Sequence, residues 1–234
     1  AADEVGCFEM REGGIVGLED ASGLFLSGRG GAVPGTCVAV TQQGRRPMVT
    51  EIQALATRGF GGGSMRRAVS GLDAGRVAML LAVLTRHARL PVADQEIYAA
   101  TVGGLAATEP AADLAIALAL ASALRGTALP PTVCAIGEVS LSGDVRSVPG
   151  LDRRLAEAAR LGMTTALVPA GHHNRLTTDM VTRPVATIEA ALSAAGALAG
   201  LVTVPDPLRP PVRPPHPSAD AGALSRRTAA SKRR

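Results

Sequence analysis

Apolar residues recur along this chain with two periods, and the change from one to the other predicts its elements. Val77, Leu80, Leu81 and Leu84 stand at helical spacing and share one face of a helix predicted over 73–89. Alanine and leucine fill most of 109–124, apolar nearly all round, so this second helix is expected to be buried. Two further helices are predicted over 151–161, ended by Gly162, and over 188–198. Strands are predicted at 37–42 and 48–55, joined by a Gly44-Arg-Arg-Pro47 turn, and then at 96–102, 133–139 and 165–168. Hairpin strands first and β–α alternation afterwards define a mixed α/β layer fold.

The two ends depart from this pattern. Short strands at 5–10 and 14–17 form a hairpin with no domain of its own around it, so 1–22 is expected to be the end of a larger unit. The Gly- and Ser-rich stretch 23–34 reads as a linker, and 35–200 as the body. From Pro205 to Pro217 there are seven prolines, followed by Ala, Ser and Arg, a composition that cannot bury a core and is expected to be disordered over 205–234. Seven basic residues against Asp206 and Asp220 put a net +5 in this tail. The whole chain carries +4, which leaves the body near neutrality at −1.

Composition removes several kinds of chemistry. Of 24 basic residues only Lys232 is a lysine, so the body has no phosphate loop of the G-x-x-x-x-G-K-[ST] type, no Schiff-base amine and no serine–lysine dyad. Cys7, Cys37 and Cys134 lack C-x-x-C spacing, which argues against a zinc site or a disulfide framework. Three phenylalanines, one tyrosine and no tryptophan leave little for stacking on bases. No apolar run reaches the roughly 18 residues of a membrane span, and a cytoplasmic setting is expected.

Several residues remain candidates for chemistry. The Gly59–Ser64 loop lies between a strand and a helix but lacks the lysine of a phosphate cradle, and reads as a mobile connection. Arg66 and Arg67 after it, with Arg76 and Arg146, are candidate contacts to a phosphate backbone. His172 and His173 adjoin on a loop with no carboxylate at ligand spacing, so a metal role is not expected. His87 lies on the first helix without an obvious carboxylate to orient it. Ser122 or Ser140 with His87 would be needed for a displaced peptidase nucleophile.

Two stretches are specific. Thr108-Glu-Pro-Ala-Ala-Asp113 opens the buried helix, with Pro110 suited to a first turn and Glu109 to the positive end of the helix dipole. Gly137-Glu-Val-Ser-Leu-Ser-Gly-Asp-Val-Arg146 runs on through Pro149-Gly-Leu-Asp-Arg-Arg154 into the next helix. The second stretch resembles the segment G-E-[IV]-x-L-x-G-x-V-x-x-[IV]-x-G-L-K-E-K of Lon-type proteases, and the first stands where that family has D-G-P-S-A-G. The resemblance puts the family's nucleophilic serine at Ala111 and its activating lysine at Asp152. Neither residue can do that work.

Over about 4–198 the chain resembles a family that shares this loss, the bacterial DNA repair proteins called RadA or Sms. Glu4-Val-Gly-Cys-Phe-Glu-Met10, Thr50-Glu-Ile-Gln-Ala-Leu55, Gly71-Leu-Asp73, Glu109-Pro-Ala-Ala-Asp-Leu114 and Gly137-Glu-Val carry it. The resemblance implies a Lon-like domain without protease activity, attached to an ATPase core whose last piece is the first hairpin. It implies a DNA-dependent ATPase acting in recombinational repair and branch migration, a hexameric ring, and single-stranded or branched duplex DNA as partner, near the nucleoid. ATP, magnesium and zinc would belong to parts N-terminal to this chain, and no cofactor is expected in it. A Lon-type peptidase and a purely oligomerising module are the other readings.

Overall fold

Alternating side chains give the central strands two apolar faces, and the helices divide between those faces. The fold is that of a computed structural model, which describes residues 7–11, 13–18, 31–59, 65–171 and 180–200. The Phe60–Ser64 part of the glycine loop, His172 and His173, most of the linker and the whole of 205–234 lie outside the described residues.

In chain order the strands and helices begin with β1 (Cys7–Arg11), β2 (Gly14–Leu18), β3 (Thr36–Gln43), β4 (Arg46–Arg58) and β5 (Arg67–Ser70). There follow α1 (Ala74–Ala88), β6 (Gln95–Thr101), α2 (Asp113–Arg125), β7 (Val133–Ala135), β8 (Glu138–Val139) and β9 (Val145–Arg146). The chain closes with α3 (Leu151–Arg160), β10 (Thr165–Pro169), β11 (Val181–Val185) and α4 (Ile188–Ala199). β1 and β2 form an antiparallel pair of their own. Seven strands make the main sheet, in the order β11-β10-β7-β3-β4-β6-β5, with antiparallel pairing from β3 through β4 to β6 and parallel pairing elsewhere.

Parity decides which layer each residue joins. Ala39, Ile52, Ile97 and Ala99 point to one side, where Leu80 and Leu84 of α1, Leu114 and Leu118 of α2, and Leu192 of α4 cover them. Val38, Val40, Val49 and Cys134 point to the other, against Leu151, Leu155 and Ala158 of α3. α2 is the centre of the molecule: every residue from Asp113 to Ser122 is buried, as its all-round apolar sequence requires. α1 starts at Asp73, whose carboxylate accepts the Arg76 N–H at 2.7 Å as an N-cap.

Three local expectations are corrected. The strand predicted over 133–139 is two strands, because at Gly137 the chain leaves the sheet. The Gly137 N–H donates to Ala111 O at 3.0 Å, and the Leu114 N–H donates to Gly137 O at 3.1 Å, so the start of α2 captures that peptide. β8 then pairs with β9 in a separate hairpin, Glu138 opposite Arg146. The helix predicted from residue 109 opens with a 3-10 turn over Pro110–Ala112, and its α portion starts at Asp113. β5 and β11 were not foreseen. Each has only four or five residues and lies at a sheet edge, where Pro184 is tolerated in β11.

Candidate functional site

The two stretches singled out by sequence meet in the structure, joined by an ion pair between a buried arginine and a partly buried glutamate. Arg154, in the first turns of α3, is 2% exposed. Its Nη1 donates to Glu109 Oε1 at 2.6 Å and to Val40 O at 2.7 Å, and its Nη2 to Glu109 Oε2 at 2.8 Å and Gln42 Oε1 at 3.2 Å. Nε completes the set on Pro149 O at 3.2 Å. Glu109 also accepts the Gln42 N–H at 2.5 Å. The planar guanidinium thus ties β3, the entrance to α2 and the start of α3 in one fork-to-fork arrangement. Glu109, read as a helix-dipole residue, serves chiefly as the acceptor of this clamp.

The clamp brackets Ala111 and Asp152, the two positions to which the resemblance assigns the dyad. Ala111, two residues after Glu109, is 2% exposed and packs in the core layer that contains Val148, Leu151 and Leu155. Asp152, two residues before Arg154, is exposed. Ala111 presents a methyl group and Asp152 a carboxylate, so neither offers a hydroxyl nucleophile or an amine. The displaced-nucleophile alternatives do not assemble either. The Ser122 hydroxyl donates to Thr127 O at 2.6 Å and accepts the Gly35 N–H at 2.8 Å, closing the end of α2 against the start of β3. The Ser140 hydroxyl lies with Ser142 Oγ at 2.8 Å and Asp144 Oδ2 at 3.4 Å, while His87 Nε2 lies 3.1 Å from Leu141 O. His87 does have a carboxylate in range, which its sequence context hid: Glu189 Oε1 of α4 is 3.9 Å from Nδ1.

Of the four candidate arginines, Arg76 and Arg146 come together. They line one cleft of about 370 Å³ with Met79, Glu138, Ser140 and Leu141. Arg76 is held from behind by Asp113: Nε donates to Oδ1 at 2.7 Å and Nη2 donates to Oδ2. Asp113 has no exposed side-chain surface, whereas Arg76 keeps 26% of its own. The Val139 N–H also donates to Asp113 Oδ2, at 3.2 Å, so this carboxylate links α1, α2 and the β8–β9 hairpin. Burial raises the Asp113 pKa, and Arg76 and the Val139 N–H pull it back without cancelling the shift. Arg76 is raised in turn by its bond to Asp113.

Arg66 and Arg67 sit elsewhere, at the β5 edge, both exposed. Arg67 lines a cleft on the helical side with Leu81, Thr85 and Val92. Arg66 lies within electrostatic reach of Tyr98, whose hydroxyl donates to Glu96 Oε2 at 3.0 Å. Among the described residues no group of three or more His, Cys, Asp or Glu is placed to hold a metal ion, and no helix is long and apolar enough to cross a membrane.

A model of the Lon protease (S16) C-terminal proteolytic domain matches residues 93–190, which include Ala111, Asp152, the Glu109–Arg154 pair and the β8–β9 hairpin. Fold and family model together define a Lon-protease-like C-terminal domain. Its sequence relatives are more particular. "DNA repair protein RadA" of Mycolicibacterium smegmatis is 56% identical over 171 residues, covering 73% of this chain and 36% of the relative. The proteins of the same name from Brucella abortus and Escherichia coli are 43% and 42% identical over 199 and 172 residues, covering 83% and 74% of this chain. The chain belongs to the RadA family of DNA repair proteins. It spans 36% to 42% of the length of these three relatives.

Proposed function

We propose that this chain is the scaffold and DNA-contacting part of a RadA-type DNA-dependent ATPase that drives branch migration in recombinational repair, within a homo-oligomeric, hexameric ring near the nucleoid. The observation that carries the reading is the similarity to RadA proteins at 42–56% identity along most of the chain. The chain's own chemistry supports its non-enzymatic part. With alanine at 111 and aspartate at 152, peptide bonds meet neither a nucleophile nor a base, and the peptidase reading loses its mechanism.

Contact with DNA falls to Arg66, Arg67, Arg76 and Arg146. Arg146 carries the larger share in the cleft, since two of the Arg76 N–H donors and its charge are already engaged by Asp113. Contacts of this kind neutralise phosphates, so they are independent of sequence and weaken with salt. ATP, magnesium and zinc are bound by other parts of the complete protein. Mobility shifts of the full chain on linear duplex, single-stranded and four-way-junction DNA at low salt test the reading. Retardation that falls in the Arg66→Ala/Arg67→Ala and Arg146→Ala variants supports it. Absence of retardation, or retardation that survives these substitutions and disappears only when the arginines of 205–234 are changed to glutamine, refutes it.

A further inference from the structure

The cleft between α1 and the β8–β9 hairpin carries a near-balance of charge, and one of the groups that sets it is out of reach of solvent. Arg76 and Arg146 line the cleft with Glu138, which stands opposite Arg146 in the hairpin register. Behind them, at the start of α2, Asp113 has no exposed side-chain surface. With Asp113 ionised, two guanidinium groups are met by two carboxylates. A phosphate entering the cleft then gains little from the sum of these charges.

Hydrogen bonding leaves part of the cleft open to an anion all the same. Asp113 engages Nε and Nη2 of Arg76. Among the described residues neither Arg76 Nη1 nor the exposed Arg146 has a hydrogen-bond acceptor. The Ser140 hydroxyl lines the same cleft. A tetrahedral oxyanion therefore meets donors from two elements, α1 and the hairpin. What holds it off is charge: an arginine paired through two bonds with a buried carboxylate still presents donors, but little net charge.

We infer that Asp113 competes with phosphate for Arg76, so that a phosphate group entering the cleft and a proton arriving on Asp113 favour one another. This deepens the DNA contact of the proposed function and rests on it. An ionised Asp113 holds the charge of Arg76 back, and a neutral one releases it towards the cleft. By linkage, phosphate bound at Arg76 draws a proton onto Asp113 to the same degree. The hairpin keeps its anchor in both states, because a protonated carboxyl retains an acceptor oxygen for the Val139 N–H. Burial, the main cause, holds the Asp113 pKa above its ordinary value, which brings the exchange closer to neutral pH. The other charges facing the pair are Asp73 at the start of α1 and Glu138 and Arg146 on the hairpin, and Glu138 favours the neutral form of Asp113. At the hairpin turn Asp144 is bonded to Ser142, and His87 of α1 lies against Leu141 O.

The test uses the full chain with the seven basic residues of 205–234 changed to glutamine, so that the tail adds no positive charge. A labelled duplex is titrated at several salt concentrations with this parent, with Asp113→Asn and with Arg76→Gln/Asp113→Asn, circular dichroism establishing that each is folded. Asp113→Ser, which also keeps an acceptor for the Val139 N–H, is the second variant should Asp113→Asn not fold. At about pH 7.5 removal of the carboxylate is expected to tighten binding and to steepen the log–log salt slope by about 1, and the double variant to lose both gains. Lowering the pH to about 5.5 should bring the parent towards Asp113→Asn, since its own carboxyl then takes up the proton; His87 titrates in every chain and leaves this ratio unchanged. A slope that stays the same or becomes shallower without the carboxylate, or an affinity ratio that is constant with pH, overturns the inference. If the parent binds duplex in either of those cases, the DNA contact stands and only the role of Asp113 falls. Absence of binding by every chain overturns both.

Discussion

Removing Glu109 is the perturbation with the most calculable consequence. Arg154 is 2% exposed and receives its counter-charge from Glu109 alone among the partners described; Val40 O, Pro149 O and Gln42 Oε1 are neutral acceptors. Glu109→Ala leaves a buried guanidinium without its carboxylate, a change that typically costs about 3–5 kcal/mol. The Glu109 side chain is 28% exposed, so water replaces part of what is lost, and the lower figure of about 3 kcal/mol is appropriate. For a domain of this size that is a fall of about 6–12 °C in Tm. Arg154→Met removes the charge together with its need for a partner and should cost less than Glu109→Ala. The double variant Glu109→Ala/Arg154→Met should then recover part of the loss, a coupling of about 1–3 kcal/mol. Urea unfolding of the four proteins, followed by circular dichroism, gives all three quantities. If Glu109→Ala costs less than about 1 kcal/mol, or if the two substitutions add, the pair is not the clamp described.

Two further outcomes follow from buried groups. The folded pKa of Asp113 is raised by burial, so the native state holds that proton more tightly than the unfolded chain does. Its contribution to stability is present at acid pH and lost as pH rises through the raised value. The stability of wild type relative to Asp113→Asn should therefore improve as pH falls from about 7 to about 4, and a relative loss over that range would contradict the assignment. Burial likewise pushes the Cys134 thiol up to about 12. In a Cys7→Ser/Cys37→Ser chain it should react with an aromatic disulfide reagent only at the rate of unfolding, whereas fast labelling of the native protein would show an open path to β7.

The elements written in local periodicity were legible, and those written in long-range pairing were not. Leu80, Leu81 and Leu84 announce α1 through spacing alone, and the alanine–leucine run announces that α2 is central. β5 is four residues beginning with an arginine, and its strand character comes from pairing with β6 rather than from its own composition. The break at Gly137 depends on two hydrogen bonds to the start of α2, about 25 residues away in sequence, which no local window contains. The Arg154–Glu109 pair joins residues 45 apart. Its sequence signal was only that both lie beside positions where Lon-like domains carry their dyad. The assignment of that dyad to Ala111 and Asp152 rests on the sequence resemblance alone. Where the arginines gather was not legible: Arg76 and Arg146 share a cleft, while Arg66 and Arg67 lie on opposite sides of an edge strand.

DNA contact through those arginines is the central functional claim, and salt-dependent fluorescence anisotropy tests it most directly. A labelled duplex is titrated with the full chain, with all seven basic residues of 205–234 changed to glutamine in every sample so that the tail is silent. The account predicts an affinity that falls with salt at a log–log slope of about −2 to −4, with Arg146→Ala reducing that slope by about 1. A chain that does not bind under low salt, or whose slope is unchanged when Arg66, Arg67 and Arg146 are replaced, would contradict it.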